Sequence, residues 1–206
     1  MCIRDSYDTD GTLVPVYRGG IADETIESTL LKFNITVNDF NEDGIDEIMI
    51  AGIDPAGGGG SNWGIFAKIY QVTGSNPFTL VPKARQIIFS EPQQYNVSNL
   101  NLGLTSGDFN DDIKPDGAIA FSFLTQSLGE NDSYLYLLEI SSNLNSIIFN
   151  DTRRVARNSV GPNQMSKNDL VAGDLNADGK DEVIWGIESN VYILSLIHIS
   201  EPTRPY

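Results

Sequence analysis

Cysteine and histidine are almost missing. The 206-residue chain has one of each, Cys2 and His198, and both fall in terminal stretches that read as foreign. A codon reading of Met1–Ser6 has a reverse complement that encodes Leu-Ser-Leu-Ile-His, the sequence of residues 194–198. Two ends of a natural chain have no reason to be related in this way. The tail Leu194–Pro205 looks like a translated transposase adapter from a sequencing library. Residues 1–6 and 194–206 are therefore set aside, as a fusion scar would be. The segment 7–193 is expected to be an internal piece of a longer protein, with true termini and any signal peptide outside it. It contains no cysteine or histidine. That excludes a disulfide framework, a thiolate nucleophile, a Ser–His or Cys–His pair and an imidazole ligand, and it argues against zinc.

Positive charge is also scarce. Lys and Arg number 13 against 28 Asp and Glu, a net charge of −15 that survives removal of Arg4, Asp5, Glu201 and Arg204. Such acidity argues against nucleic acid and against anionic membrane surfaces as partners. Long apolar runs are missing too; none approaches the roughly 18 residues of a membrane span. The hydrophobic fraction of 40% is ordinary for a globular chain.

What is present is a repeat. Asn38–Ile48, Gly107–Gly117 and Gly173–Val183 align, and their leading aspartates Asp39, Asp108 and Asp174 stand 69 and then 66 residues apart. A second marker, Thr12-Leu13-Val14-Pro15, recurs as Thr79-Leu80-Val81-Pro82 after 67 residues. Each unit reads as short strands. One precedes the acidic loop, as at Leu31–Val37. A nearly continuous apolar run follows it, at Ile48–Ala51, Ala118–Phe123 and Val183–Ile187, as expected of strands buried on both faces. A third lies at Ile65–Val72, Tyr134–Ile140 and Val191–Ile193, and a fourth starts near Phe78 and Ser146. Gly74–Pro77 reads as the turn between the third and fourth. The rival for Ile21–Phe33 is a helix capped by Asp23, with Ile26, Leu30 and Phe33 at helical spacing.

Four antiparallel strands per unit of about 66 residues is the layout of a β-propeller blade. The expected fold is therefore all-β, an open arc of a propeller. Residues 7–20 would end a truncated blade, 21–90 and 91–157 would be blades, and 158–193 a partial blade. Asp8-Thr9-Asp10-Gly11 then reads as a hairpin turn of the truncated blade, since Asp-Gly favours two-residue turns.

The loops 39–47, 108–116 and 174–182 carry the chemistry. Counting from the leading aspartate, positions 1, 3 and 5 are Asp, Asn and Asp in all three, and position 9 is Glu47, Asp116 or Glu182. Alternate side chains of extended chain point one way, so positions 1, 3 and 5 converge. Position 6 is Gly44 or Gly179 in two copies, which permits a positive-φ turn that returns position 9 to the same centre. An all-oxygen set of this size suits calcium better than magnesium's strict octahedron. An EF-hand is excluded, because position 12 is Ile50, Ile119 or Trp185 rather than Glu, and the flanks read as strands.

Gly107–Asp116 and Gly173–Glu182 resemble the calcium loop of FG-GAP and VCBS repeats, the blades of integrin-α-like propellers. The resemblance implies side-chain ligands at positions 1, 3, 5 and 9 and a main-chain carbonyl at position 7. These are Asp39, Asn41, Asp43, Ile45 and Glu47; Asp108, Asn110, Asp112, Lys114 and Asp116; and Asp174, Asn176, Asp178, Lys180 and Glu182. Ile113 stands where the family has its turn glycine. Asp46 and Asp181 adjoin position 9 as rival ligands. The Phe-Gly and Gly-Ala-Pro signatures are absent, which is closer to the VCBS type.

The resemblance implies a Ca2+-stabilised module outside the cytosol, at a cell surface or in a periplasm. It would bind a protein or carbohydrate ligand, as in cell adhesion, through blade loops such as Ala56–Trp63, and Trp63 would stack on a sugar or pack between blades. No catalytic residues stand out. The rival is a lyase-like, polysaccharide-degrading propeller enzyme whose calcium contacts substrate, with Arg153, Arg154 and Arg157 as its nearest basic cluster. Asn34, Asn96, Asn131 and Asn150 head glycosylation sequons.

Overall fold

The computed structural model describes residues 32–54, 62–74, 79–92, 101–125, 130–159, 168–187 and 190–195. The turn at Asp8–Gly11 and the glycine run 57–60 lie outside them, as does the helical alternative Ile21–Phe33 up to residue 31; Phe33 begins a strand. Among the described residues the chain is all-β. The strands are β1 (Phe33–Asn38), β2 (Glu47–Asp54), β3 (Asn62–Thr73), β4 (Thr79–Pro92), β5 (Asn101–Gly107), β6 (Asp116–Thr125), β7 (Glu130–Ile140), β8 (Ile147–Ser159), β9 (Asn168–Gly173), β10 (Glu182–Ile187) and β11 (Asn190–Leu194). β4 and β8 run slightly past the expected unit boundaries at 90 and 157.

Three antiparallel meanders result, ordered β1-β2-β3-β4, β5-β6-β7-β8 and β9-β10-β11. The acidic loops join the first strand of each sheet to the second, Asn38 pairing with Glu47, Gly107 with Asp116 and Gly173 with Glu182. The outer strand of each four-stranded sheet is irregular in the same way. The β3–β4 register shifts at Ile65/Phe66 and Lys68/Tyr70, and the β7–β8 register at Ser133/Tyr134 and Leu137/Leu138. Bulges of this kind raise the local twist and blunt an edge against further pairing. They also make room for Pro82, which an edge strand tolerates.

The sheets lie face to face with like strands together: β1 beside β5, β5 beside β9, and β4 beside β8. This explains why β6 is apolar on consecutive residues. Ile119 and Phe121 join Met49, Ala51, Ile53 and Ile65 in the core between the first two sheets. Ala118 and Ala120, on the opposite face, join Val183, Trp185 and Ile187 between the second and third. A strand covered on both sides has no solvent face on which to alternate. Phe40 and Phe109, at position 2 of their loops, plug these two junctions and are buried. Leu175, their counterpart in the third loop, is 55% exposed, as is Val171.

Polar side chains tie the junctions as well. Thr36 Oγ1 and Ser106 Oγ lie 2.9 Å apart, and Asn34 Nδ2 donates to Leu102 O. The sequon at Asn34 is therefore occupied by an inter-sheet contact. Between the second and third sheets, Asn168 Nδ2 donates to Asn101 O and Ser122 Oγ, both at 3.0 Å, and Trp185 Nε1 donates to Asn168 Oδ1 at 2.9 Å. Burying these polar groups is tolerated because each finds a partner.

Candidate metal loops

The three loops share one backbone course. Position 6 is left-handed in each, with φ of 85° at Gly44, 73° at Ile113 and 91° at Gly179. Position 4 is left-handed too, at Glu42, Asp111 and Ala177, which the sequence did not signal because none of these is glycine. Ile113 therefore keeps the turn despite its β-branch. It does so at a cost, since a left-handed β-branched residue is a true outlier.

The position 1 carboxylate organises each turn. Asp39 Oδ1 accepts from Asp43 N at 3.0 Å and its Oδ2 from Gly44 N at 2.8 Å. Asp108 and Asp174 do the same, with Oδ2 accepting from Ile113 N at 2.9 Å and from Gly179 N at 3.0 Å. Position 5 repeats the motif one step on, each aspartate Oδ1 accepting from the position 7 N–H, at Ile45, Lys114 and Lys180. The Lys114 side chain is drawn away, its Nζ donating to Ile140 O.

The position 3 amide holds the acids together. Asn41 Nδ2 donates to Asp43 Oδ2 at 3.0 Å and to Glu47 Oε1 at 3.3 Å. Asn176 Nδ2 does likewise to Asp178 Oδ2 at 3.0 Å and Glu182 Oε1 at 3.1 Å. In both loops the other position 9 oxygen accepts from the position 2 N–H, at Phe40 and Leu175. The second loop differs. Asn110 Nδ2 reaches Asp112 Oδ2 at 3.2 Å, and Asp116 is one methylene shorter than Glu. Asp116 Oδ1 is buried with no hydrogen-bond partner among the described residues.

Such carboxylates resist ionisation. Burial, reinforced by Asp43, pushes Glu47 up to about 7, against the opposing N–H of Phe40. Burial, reinforced by Asp112, likewise pushes Asp116 up to about 7. Glu47 and Asp116 are thus buried beside other carboxylates, a situation that a cation relieves.

Among the described residues no group of three or more Asp, Glu, His or Cys side chains is gathered so as to hold a metal ion. The loop carboxylates accept from loop N–H groups, and in the first and third loops the asparagine amide bridges two of them. The donor set itself is wholly oxygen once that amide turns its Oδ1 inward, and one buried oxygen in the second loop is unpartnered. Both features fit a hard cation. Asp181 does not turn into its own loop as a ligand. Its Oδ2 accepts from Asp108 N, across the junction, at 3.0 Å.

No protein-family model, curated protein or solved structure matches the chain.

Arg153, Arg154 and Arg157 lie along β8, and Trp63 along β3, but their side chains are outside the described set. Among the described residues no helix is long and apolar enough to cross a membrane.

Proposed function

We propose that the chain is an arc of a β-propeller of the FG-GAP/VCBS kind, whose acidic loops bind Ca2+ structurally, and that it serves as a binding module rather than an enzyme. The observation that carries this reading is the threefold recurrence of one loop geometry around a buried acid at position 9. Support for the propeller comes from meander sheets stacked with their first strands together. The exposed Val171, Leu175, Val191 and Ile193 then form the face that a further blade would cover.

The ligands in this reading are Asp39, Asn41, Asp43, Glu47 and the Ile45 carbonyl, with the matching sets Asp108, Asn110, Asp112, Asp116 and Lys114 O, and Asp174, Asn176, Asp178, Glu182 and Lys180 O. Bound calcium supplies positive charge that offsets the mutual repulsion of the carboxylates and couples loop closure to folding. Extracellular modules hold calcium at about 10⁻⁴–10⁻³ M, which fits a location outside the cytosol and leaves ligand contacts to the exposed loops.

Thermal unfolding in millimolar calcium, millimolar magnesium and chelator tests the reading. The expected result is a calcium-selective rise in midpoint, reduced by Asp174→Ala with Asp178→Ala. Equal midpoints in all three solutions would reduce the loops to acidic turns.

A further inference from the structure

Two of the three loops touch. Asp181, at position 8 of the third loop, grips position 1 of the second through two bonds. Its N donates to Asp108 O at 2.7 Å, and its Oδ2 accepts from Asp108 N at 3.0 Å. Beside them, Lys180 Nζ lies 3.4 Å from Asp111 Oδ2. The fit depends on Gly107: a Cβ there would stand 2.4 Å from Asp181 Oδ2 and 3.0 Å from Ala172 Cβ. Residue 107 is thus glycine for space, where Gly44 and Gly179 are glycine for conformation.

The first junction is built otherwise. Position 8 of the second loop is Pro115, which has neither carboxylate nor N–H. Asp39 N is satisfied within its own unit, donating to Asn38 Oδ1 at 3.1 Å. The positions held by Gly107 and Asp181 at one junction correspond in the repeat to Asn38 and Pro115 at the other. Pro115 cannot form this clamp, and a tie across the first junction is instead Asn38 Nδ2 donating to Ser106 Oγ at 3.3 Å, whereas loops 2 and 3 share the clamp.

Resting on the calcium reading above, we infer that Asp181 is a positioning residue for the preceding loop, so that loops 2 and 3 bind Ca2+ with positive cooperativity while loop 1 binds independently. Asp108 is the pivot. Its main chain is held by Asp181, and its carboxylate collects Asp111 N at 2.8 Å and Ile113 N at 2.9 Å. Glu182, a ligand of loop 3, directly follows Asp181. Ordering loop 3 around a cation fixes Asp181 and with it the Asp108 backbone, so part of the ordering cost of loop 2 is already met when its own cation arrives. The unpartnered Asp116 Oδ1 marks loop 2 as the site with most to gain. Linkage requires the effect to be mutual.

The test uses the full chain, ¹⁵N-labelled, with calcium chloride added stepwise. The amides of Gly44, Ile113 and Gly179 each bond the leading carboxylate of their own loop and report the three sites separately. In the wild type, Ile113 and Gly179 should shift over one shared, steep range and Gly44 over its own. Asp181→Ala should raise the Ile113 midpoint about fivefold or more and leave Gly44 in place. Gly107→Ala, which keeps every residue of loop 3, should do the same by pushing the clamp open. Asp181→Asn, which keeps an acceptor oxygen, should restore most of the wild-type behaviour, and it carries the comparison with Gly107→Ala if Asp181→Ala does not fold. An unchanged Ile113 midpoint in these variants, with all three loops still responding, would overturn the coupling and leave the calcium reading intact. Silence of all three amides in the wild type would overturn both.

Discussion

Replacing Ile113 with glycine should stabilise the protein, although it removes a large apolar side chain. Ile113 sits at φ 73° and is 84% exposed. Its side chain buries little, so truncation forfeits no more than a few tenths of a kcal/mol of apolar burial at about 25 cal/mol per Å². Holding an L-residue left-handed costs about 1–2 kcal/mol, and a β-branch sits at the upper end. Glycine removes that cost but gives the unfolded chain about 0.5–1 kcal/mol of extra entropy. The net expectation is a gain of about 0.5–1.5 kcal/mol. Urea unfolding in chelator measures it without metal linkage, read as a higher midpoint at unchanged slope. The converse change, Gly44→Ala, should cost about 1 kcal/mol, because an added Cβ there meets nothing within 4 Å and conformation alone is tested. A neutral or destabilising Ile113→Gly would refute the reasoning: the second loop would then not hold the turn that the first and third hold.

Asn176→Asp should destabilise the chelated protein by about 1–2 kcal/mol, since it replaces the amide bridging Asp178 and Glu182 with a third carboxylate; calcium should recover most of the loss, and paired thermal melts decide. In chelator, stability should fall as pH rises from about 4.5 to 7 and level off above. Glu47 and Asp116 are both pushed up to about 7, so the folded state binds their protons more tightly than the unfolded chain does, and that advantage is lost as pH passes the folded value. Midpoints between pH 4.5 and 8, with and without calcium, check both the slope and its removal by the cation. Trp185→Phe should cost about 1–3 kcal/mol by removing the indole N–H from Asn168 Oδ1 within the second junction, read by urea unfolding, with the amides of β9 and β10 exchanging faster than those of β2 and β3.

Much of this protein was legible in one dimension. The spacing of Asp39, Asp108 and Asp174 revealed the repeat, and consecutive apolar residues at Ala118–Phe123 revealed a strand covered on both faces. The turn glycines marked where φ becomes positive. These features are local: a period, a run and a backbone preference all act within a few residues, and the three copies reinforce one another.

The junctions were decided only by the tertiary structure. A doubly buried strand reads the same whichever neighbour each face meets, so periodicity did not say that Ile119 faces Met49 while Ala118 faces Val183. Nor did it say that Asp116 leaves one buried oxygen unpartnered among the described residues. Asp181 read as a rival ligand because it adjoins Glu182 in the chain. Its carboxylate instead meets Asp108, 73 residues away, where Gly107 leaves it room. Sequence determines which groups a loop carries; the packing of one sheet on the next determines which loop they serve.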